Sequence, residues 1–280
     1  MSASIPGTSL EKERALSAWL RARAPVLIGY SGGVDSVYLA AVAAESLDSD
    51  ELVAVIGRSA SYPEEQWRVA RDSADRLGVR VLEASTDEMN DPRYAANPSN
   101  RCYFCKTELW QRLRAVAAEH GIATIVDGTN ADDLRDWRPG AQAAREHHVR
   151  SPLAELGFTK AEIRERSRAR ALPTWSQPSS PCLSSRIPYG TAVTVERLRQ
   201  VERAERALRD LGVTGDLRVR HHGTLARVEI SAALIGEWLR PERSALIVGA
   251  VRAAGFTRVA LDLRGFRSGS LNVLHGVTAA

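Results

Sequence analysis

The sequence predicts an α/β protein, in which a doubly wound parallel sheet is followed by a smaller α+β domain. Three observations favour this fold class. Short apolar segments alternate with helical segments over about the first 130 residues, as they do in parallel sheets. A glycine-rich turn joins the first apolar segment to the next helix. After Gly140 the alternation ends and a different order of elements begins.

Four strands and four helices are predicted in the first domain, which we place at residues 1–175. Each strand is a short and mostly apolar run, which is typical of strands buried on both faces of a sheet. A polar segment rich in Asn, Asp and Pro, residues 86–101, is predicted to be a loop. The predicted strands are 25–30, 51–57, 79–84 and 123–127, and the predicted helices are 9–23, 37–46, 63–77 and 102–120.

The second domain is predicted at residues 176–280, and Cys182 lies near its start in an irregular, proline-rich stretch. This stretch is too long for a simple linker, and long loops without regular structure are often functional. Regular elements are predicted after it: helix 194–211, a hairpin of strands 217–220 and 226–230, helix 242–253 and a last strand, 258–263.

The composition is that of a folded protein and gives little indication of a macromolecular ligand. Hydrophobic residues make up 44% of the chain, and the net charge is only +4. The apolar runs are too short to span a membrane and the first residues do not resemble a signal peptide, so we expect a cytoplasmic protein without membrane contact. No basic block with interleaved aromatic residues occurs, so nucleic-acid binding is not indicated.

The segment SGGVDS, residues 31–36, predicts a phosphate-binding turn. Two glycines let the backbone turn tightly and approach a ligand, while backbone amides and the helix dipole favour an anion. Asp35 would repel phosphate, so it is better suited to bind magnesium. The segment lacks the Gly-Lys-Ser/Thr ending of a Walker A loop. The residues expected to bind the nucleotide are Ser31, Gly32, Gly33, Val34, Asp35 and Ser36.

SGGVDS resembles the signature of the PP-loop ATP pyrophosphatases, also called N-type ATPases. The resemblance implies that ATP is cleaved between its α and β phosphates, that AMP joins the substrate and that the loop holds the leaving pyrophosphate. Doubly wound sheets bind ligands at the carboxyl ends of their strands. Arg58 and Ser59 follow the second predicted strand and Gly128 follows the fourth, so we expect them near adenine and ribose. Ordinary turn chemistry explains these three residues equally well.

The chain has three cysteines, an odd number that argues against a disulfide framework in a cytoplasmic protein. Cys102 and Cys105 have metal-ligand spacing at the start of a helix, where the helix dipole favours thiolates. A CxxC pair alone is compatible with redox chemistry, zinc or simple burial. With Cys182, three thiolates are enough for three irons of a 4Fe–4S cluster, whereas structural zinc usually requires a fourth ligand.

Segments spread over most of the chain resemble the LarE family. That family consists of ATP-dependent sulfur transferases, which adenylate a carboxylate of pyridinium-3,5-biscarboxylic acid mononucleotide and convert it to a thiocarboxylate of the nickel-pincer cofactor of lactate racemase. The matching segments are SGGVDS (31–36), RCYFCK (101–106), DGTNADDLRDWRPG (127–140), SPLAELG (151–157), PCLSSRIPYG (181–190), RVRHHG (218–223) and RSGSLN (267–272).

The LarE family has two forms, and the resemblance implies the one in which Cys102, Cys105 and Cys182 hold a 4Fe–4S cluster with a transferable sulfide. In the other form the cysteine at the position of Cys182 attacks the acyl-adenylate and loses its own sulfur. Adenylation provides the leaving group that a sulfur nucleophile needs. We expect Asp35, Cys182 and Arg186 to be catalytic residues.

Arg218 and Arg220 are expected to bind the substrate phosphate, because alternation places them on one face of a strand and guanidinium suits phosphate. A solvated strand edge is the alternative for this pair. ATP and Mg²⁺ are the other expected cofactors, and the family resemblance implies a homo-oligomer, often a hexamer. Alternative functions are another PP-loop enzyme, either a tRNA thiolase or an ammonia-using ligase, and an ATP-binding metal sensor without catalysis.

Overall fold

A parallel sheet of four strands forms the centre of the first of two units and confirms the predicted fold class. The computed structural model describes residues 7–135 and 139–267, without the side chain of Arg135. Within these ranges the first unit comprises residues 7–88 and 100–180, and the second comprises 89–99 and 181–267. Across the described part of the chain, none of the helices is both long enough and apolar enough to span a membrane.

The strands of the first unit are β1 (Val26–Gly29), β2 (Leu52–Arg58), β3 (Val81–Ser85) and β4 (Thr124–Val126), each close to its predicted position. Their order in the sheet is β3-β2-β1-β4, and all neighbouring pairs are parallel. The chain therefore adds strands on one side of β1 and then crosses to the other side. This reversal creates the switch point at which doubly wound sheets bind ligands, beside the carboxyl end of β1.

Helices cover both faces of this sheet. The helices of the first unit are α1 (Ser9–Arg21), α2 (Val34–Ser46), α3 (Glu64–Leu77), α5 (Arg101–Glu119), α6 (Pro139–Glu146), α7 (Pro152–Glu155) and α8 (Lys160–Ala169), and the arm described below contains α4 (Pro92–Ala95). Strand side chains alternate between two cores, as the period of two requires. Val26, Ile28, Ala54 and Ile56 join the core built with α2, whereas Leu27, Val53 and Val55 join the core built with α5.

Segment 89–99, which we call the arm, belongs to the second unit although the sequence predicts part of a first-domain loop there. The arm contains α4, and the Asp91 side chain caps this turn by accepting from the backbone N–H of Arg93 at 2.8 Å. Its backbone then bonds to the stretch after Cys182: Gly190 N–H donates to Asn97 O and Val193 N–H donates to Ala95 O, both at 2.9 Å. Local pattern does not reveal such pairing because the partners lie more than 90 residues away along the chain.

The second unit contains a three-stranded sheet of order β5-β6-β7 and two long helices. The hairpin of β5 (Leu217–His222) and β6 (Leu225–Ile230) is confirmed, and its tight turn uses Gly223 at φ +66°. β7 (Arg258–Leu261) pairs parallel to β6 after a crossover through α10 (Ile235–Trp238) and α11 (Pro241–Ala253). Helix α9 (Val195–Asp210) packs against β5 and α11.

A buried ion-pair network joins three helices of the first unit. Glu13 of α1 accepts hydrogen bonds from Arg166 of α8 at 2.8 Å and from Tyr38 of α2 at 2.9 Å, and it also pairs with Arg170 at 2.9 Å. Burial by itself raises the pKa of Glu13, but the bonds from Arg170, Arg166 and Tyr38 outweigh burial and lower the pKa to about 2. The network therefore stabilises the folded state only while Glu13 is ionised.

We expect Glu13→Gln to reduce the free energy of unfolding by on the order of 3 kcal/mol at neutral pH, because two guanidinium groups would lose their buried partner. The folded pKa is about 2 and the ordinary value is 4.5, so the contribution is fully present above about pH 4.5 and is lost as the pH falls toward 2. Urea unfolding at pH 7 and pH 3 measures it.

The matched control is Glu45→Gln, because Glu45 also pairs with Arg170 but is 63% exposed. We expect it to change stability by less than about 1 kcal/mol at either pH. A loss in Glu13→Gln that is equal at both pH values would contradict the assigned role of the ionised carboxylate.

Candidate functional site

The SGGVDS segment forms a tight loop between β1 and α2, at the switch point of the sheet. Gly32 has φ +65°, and a Cβ there would lie 2.5 Å from the Cβ of Ala70 on α3. Gly33 is the N-cap of α2 with extended backbone at φ −79°. The two glycines therefore have different structural roles. The first lets the loop pass against a neighbouring helix, and the second starts the helix whose amides face an anion.

The two serines of the loop close it on itself. Ser36 Oγ donates to Gly33 O at 3.2 Å, accepts from the backbone N–H of Ser31 at 3.3 Å and lies 3.2 Å from Ser31 Oγ. The loop thus keeps its shape through internal hydrogen bonds. Its polar atoms are already ordered before a ligand binds, so binding would cost less conformational entropy.

Two residues near the start of α3 hold the loop from outside. Tyr62 Oη donates to Ser31 O at 2.9 Å, and Gln66 Nε2 donates to the same carbonyl at 3.0 Å. Gln66 is buried, and its Oε1 accepts from Gln177 Nε2 at 2.8 Å. The loop is therefore connected through Gln66 to Gln177 of the same unit. The sequence did not predict these hydrogen bonds, because Tyr62 and Gln66 belong to no recognisable motif.

Asp35 has one carboxylate oxygen paired and one unsatisfied. Its Oδ2 lies 2.5 Å from Lys160 Nζ, whereas its Oδ1 is buried and has no hydrogen-bond partner among the described residues. A buried carboxylate oxygen without a donor is suited to bind a metal ion. The donor chemistry therefore fits Mg²⁺ at Asp35. Lys160 was missed, although a signal existed: this chain has only three lysines among 38 basic residues.

The turn after β4 contacts the loop through Gly128. A Cβ at Gly128 would lie 3.0 Å from the backbone nitrogen of Ser36 and 3.3 Å from Asp35 Cβ. Asp127 orders this turn by accepting from Thr129 N–H at 3.0 Å and from Ser151 Oγ at 2.7 Å. Any side chain at Gly128 would therefore push against the start of α2.

Arg58 and Ser59 lie at the carboxyl end of β2 and are engaged with protein groups. Arg58 Nη2 lies 3.2 Å from Glu64, and its guanidinium stacks 4.8 Å from the Trp67 ring. Ser59 Oγ lies 2.9 Å from Ser61 Oγ, which donates to Glu88 Oε1 at 3.0 Å. Glu88 is only 2% exposed, and its Oε2 has no hydrogen-bond partner in the described ranges. Glu88 Oε2 is therefore a second buried carboxylate oxygen of this kind, after Asp35 Oδ1, and the sequence did not indicate it.

In the second unit, Cys182 is the N-cap of a single 3₁₀ turn, Leu183–Arg186. The buried Arg186 side chain donates to Cys182 O at 3.0 Å and also to Pro181 O. The same guanidinium forms a bidentate pair with Glu205 of α9, with both distances 3.0 Å. Arg186 thus holds the backbone at Cys182, while the side chain of Cys182 is partly exposed.

Arg218 and Arg220 lie on β5 and are both only 5% exposed, so the solvated-edge alternative is wrong. Arg220 pairs with Glu229 at 2.9 Å and donates to Ser185 O at 2.9 Å. Arg218 stacks 4.9 Å from the Phe266 ring. Burial, together with the positive charges of Arg186 and Arg220, lowers the pKa of Arg218 to about 10. Arg186, Arg218 and Arg220 therefore bring three positive charges close to the 3₁₀ turn that follows Cys182.

All three cysteines are reduced. Cys102 is exposed, Cys105 and Cys182 are partly exposed, and no disulfide joins them. Cys102 and Cys105 lie on α5 of the first unit, whereas Cys182 belongs to the second unit. Within residues 7–135 and 139–267 no three His, Cys, Asp or Glu side chains are grouped to hold a metal ion. Three accessible thiols do have the donor chemistry that a 4Fe–4S cluster requires.

The chain is similar to known proteins over most of its length. Residues 20–127 match the protein family described as NAD synthase. The chain is 46% identical over 246 residues to an uncharacterized protein of Synechocystis sp., covering 88% of this chain and 91% of that protein. It is 35% identical over 269 residues to the pyridinium-3,5-bisthiocarboxylic acid mononucleotide synthase of Lactiplantibacillus plantarum, covering 95% of each.

We expect Gly32→Ala to reduce stability by on the order of 3 kcal/mol, because it combines a strained φ of +65° with a backbone contact that cannot move. Gly33→Ala is the matched control. Its Cβ would meet only Ser31 Oγ at 3.5 Å in an ordinary extended conformation, so we expect a loss below about 1 kcal/mol. Urea unfolding of both variants measures this, and equal losses would contradict the steric argument.

Proposed function

The chain belongs to the LarE family, which it matches along nearly its whole length, and on this premise we propose that it is an ATP-dependent sulfur transferase. Its proposed substrate is pyridinium-3,5-biscarboxylic acid mononucleotide, of which it adenylates a carboxylate and converts it to a thiocarboxylate. The observation that carries the proposal is the similarity to the Lactiplantibacillus plantarum synthase, which extends across both units.

The first proposed step is adenylation at the PP-loop. A carboxylate oxygen of the substrate attacks the α phosphorus of ATP, the bond between that phosphorus and the bridging oxygen breaks, and pyrophosphate leaves. The amides at the start of α2 would hold the pyrophosphate, and Asp35, whose Oδ1 has no hydrogen-bond partner among the described residues, would hold Mg²⁺. Lys160, which pairs with Asp35, would provide a cation beside the phosphates. Arg58, Ser59 and Gly128 are proposed to surround the rest of the nucleotide.

The second proposed step replaces AMP by sulfur. A sulfur nucleophile attacks the carbonyl carbon, a C–S bond forms, and the C–O bond to AMP breaks with its electron pair leaving on AMP. A 4Fe–4S cluster held by Cys102, Cys105 and Cys182 would supply a transferable sulfide. In the alternative form Cys182 itself attacks and gives up its sulfur by elimination, which leaves dehydroalanine. We favour the ligand role because three cysteines without a common metal would otherwise have no shared function.

Arg218 and Arg220 are proposed to bind the substrate phosphate. A buried guanidinium whose pKa is lowered by burial and by neighbouring cations gains stability when a dianion approaches. Arg186 is proposed to act by holding the backbone at Cys182, as its bonds to Cys182 O and Glu205 suggest. We also propose that the protein works as a homo-oligomer in the cytoplasm, without nucleic acid.

The alternatives have less support. An ammonia-using ligase is favoured only by the NAD synthase match, which ends at residue 127 and leaves out the Cys182 turn and the arginines of β5. A tRNA thiolase would require a basic surface that the composition does not indicate. A non-catalytic ATP sensor would not require a carboxylate oxygen without a partner in the loop, as Asp35 has.

We expect Cys182→Ser to release pyrophosphate in the first turnover like the parent protein and to form no thiocarboxylate, because only the second step needs the thiol. The measurement combines a pyrophosphate assay with mass spectrometry of the pyridinium product. Asp35→Asn is the comparison variant and is expected to lose at least about tenfold in pyrophosphate release, since the magnesium ligand is gone. Absence of pyrophosphate from the parent protein with this substrate would overturn the proposed function.

The cluster is tested by counting iron and acid-labile sulfide after anaerobic purification. We expect about four irons per chain in the parent protein and loss of most of that iron in Cys102→Ala, because an open cluster held by two thiolates is weakly bound. Absence of iron, together with a loss of H₂S from Cys182 after turnover, would instead establish Cys182 as the consumed sulfur donor.

A further inference from the structure

The arm and the Cys182 loop, which we define as residues 181–193, form one buried hydrogen-bonded structure within the second unit. Asn97 lies at its centre and is completely buried. Its side-chain amide donates to Pro188 O at 2.8 Å and to Thr191 O at 2.9 Å, with a longer contact to Ile187 O at 3.3 Å. One side chain therefore satisfies carbonyls of the irregular part of the loop, which follows its 3₁₀ turn.

The conformation of Asn97 shows why asparagine occupies this position. Its φ is +56°, in the left-handed region that few residues other than glycine and asparagine adopt readily. In this conformation the Asn97 carbonyl also accepts from Gly190 N–H at 2.9 Å. Glycine would allow the same backbone but would not supply the amide donors. The position therefore requires both a left-handed backbone and a short donor side chain.

A second contact from the arm reaches closer to the cysteine. Tyr94 Oη lies 2.5 Å from Ser184 Oγ, and both residues are buried. Ser184 is two residues after Cys182 in the 3₁₀ turn. On its other side the turn is held by Arg186 with Glu205 and by the bond from Arg220 to Ser185 O. The backbone next to Cys182 is thus fixed from two directions, while its thiol is left accessible.

We propose that Asn97 is a positioning residue for Cys182, with Tyr94 assisting it. The inference rests on the proposed function for the identity of the reaction. The hydrogen bonds by which Asn97 fixes the Cys182 loop are independent of that function. A sulfur that must reach an acyl carbon, or serve as an iron ligand, has to be held within about 0.5 Å, and displacement by about 1 Å lowers rates roughly 100-fold. Asn97 acts through the loop backbone and does not contact the thiol in any bond described above.

Asn97→Gly tests the proposal, because it keeps the left-handed backbone and its bond to Gly190 while removing the amide donors. We expect thiocarboxylate formation to fall at least about tenfold, while first-turnover pyrophosphate release stays within about twofold of the parent protein. We also expect iodoacetamide to alkylate Cys182 about fivefold faster than in the parent, measured by peptide mass spectrometry, because the loop samples more conformations. Tyr94→Phe is expected to show smaller changes in the same directions.

Val251→Ala is the matched control, because this buried residue of α11 belongs to the same unit and none of the bonds described above involves it. It should lower the melting temperature without changing either the ratio of the two steps or the alkylation of Cys182. Unchanged alkylation in both Asn97→Gly and Tyr94→Phe would overturn the positioning role. So would an equal loss of both steps in these variants. If the parent protein releases no pyrophosphate, the proposed function fails, and the alkylation rates still decide the role of Asn97.

Discussion

The close approach of the PP-loop to helix α3 is the constraint on which the nucleotide half of the molecule depends. Gly32 passes so near Ala70 that a side chain at Gly32 would require movement of the backbone. The same helix region supplies Tyr62 and Gln66, whose donors converge on the carbonyl of Ser31. The loop is therefore shaped by α3 as much as by its own glycines. The Ser31 carbonyl is thereby satisfied from the α3 side, and an anion could bind the amides at the start of α2.

Charge is arranged differently in the two units. In the first unit Asp35 has a lysine on one carboxylate oxygen and none of the described donors on the other, so the second oxygen is suited to bind a cation. In the second unit Arg186 and Arg220 form close pairs with Glu205 and Glu229, and these pairs fix the backbone. The pKa of Arg218 is lowered first by burial and then by the positive charges of Arg186 and Arg220. A nearby anion would favour the charged form of this guanidinium, which is consistent with the substrate phosphate proposed for it.

The strands, the long helices and the SGGVDS loop could be predicted from the sequence because each depends on local pattern: apolar runs, helical periodicity and glycines at a strand end. The arm could not, because its hydrogen bonds join residues 94–97 to residues 184–193 and a polar, proline-containing segment gives no local sign of that pairing. Tyr62, Gln66 and Lys160 were missed for a related reason. Each of these residues is assigned a function by the residue that it contacts in the fold, and the sequence does not show that contact. Lys160 gave one sign in the sequence, because it is one of three lysines in an arginine-rich chain.

The Cys182 loop is held almost wholly through its backbone. Arg186 donates to the carbonyl of Cys182, Arg220 to that of Ser185 and Asn97 to those of Pro188 and Thr191. None of these bonds involves the sulfur atom. Binding of a ligand to the sulfur would therefore leave these bonds in place. A scaffold of this kind would suit the sulfur transfer proposed above, because the position of the loop would not depend on a bond to the thiol.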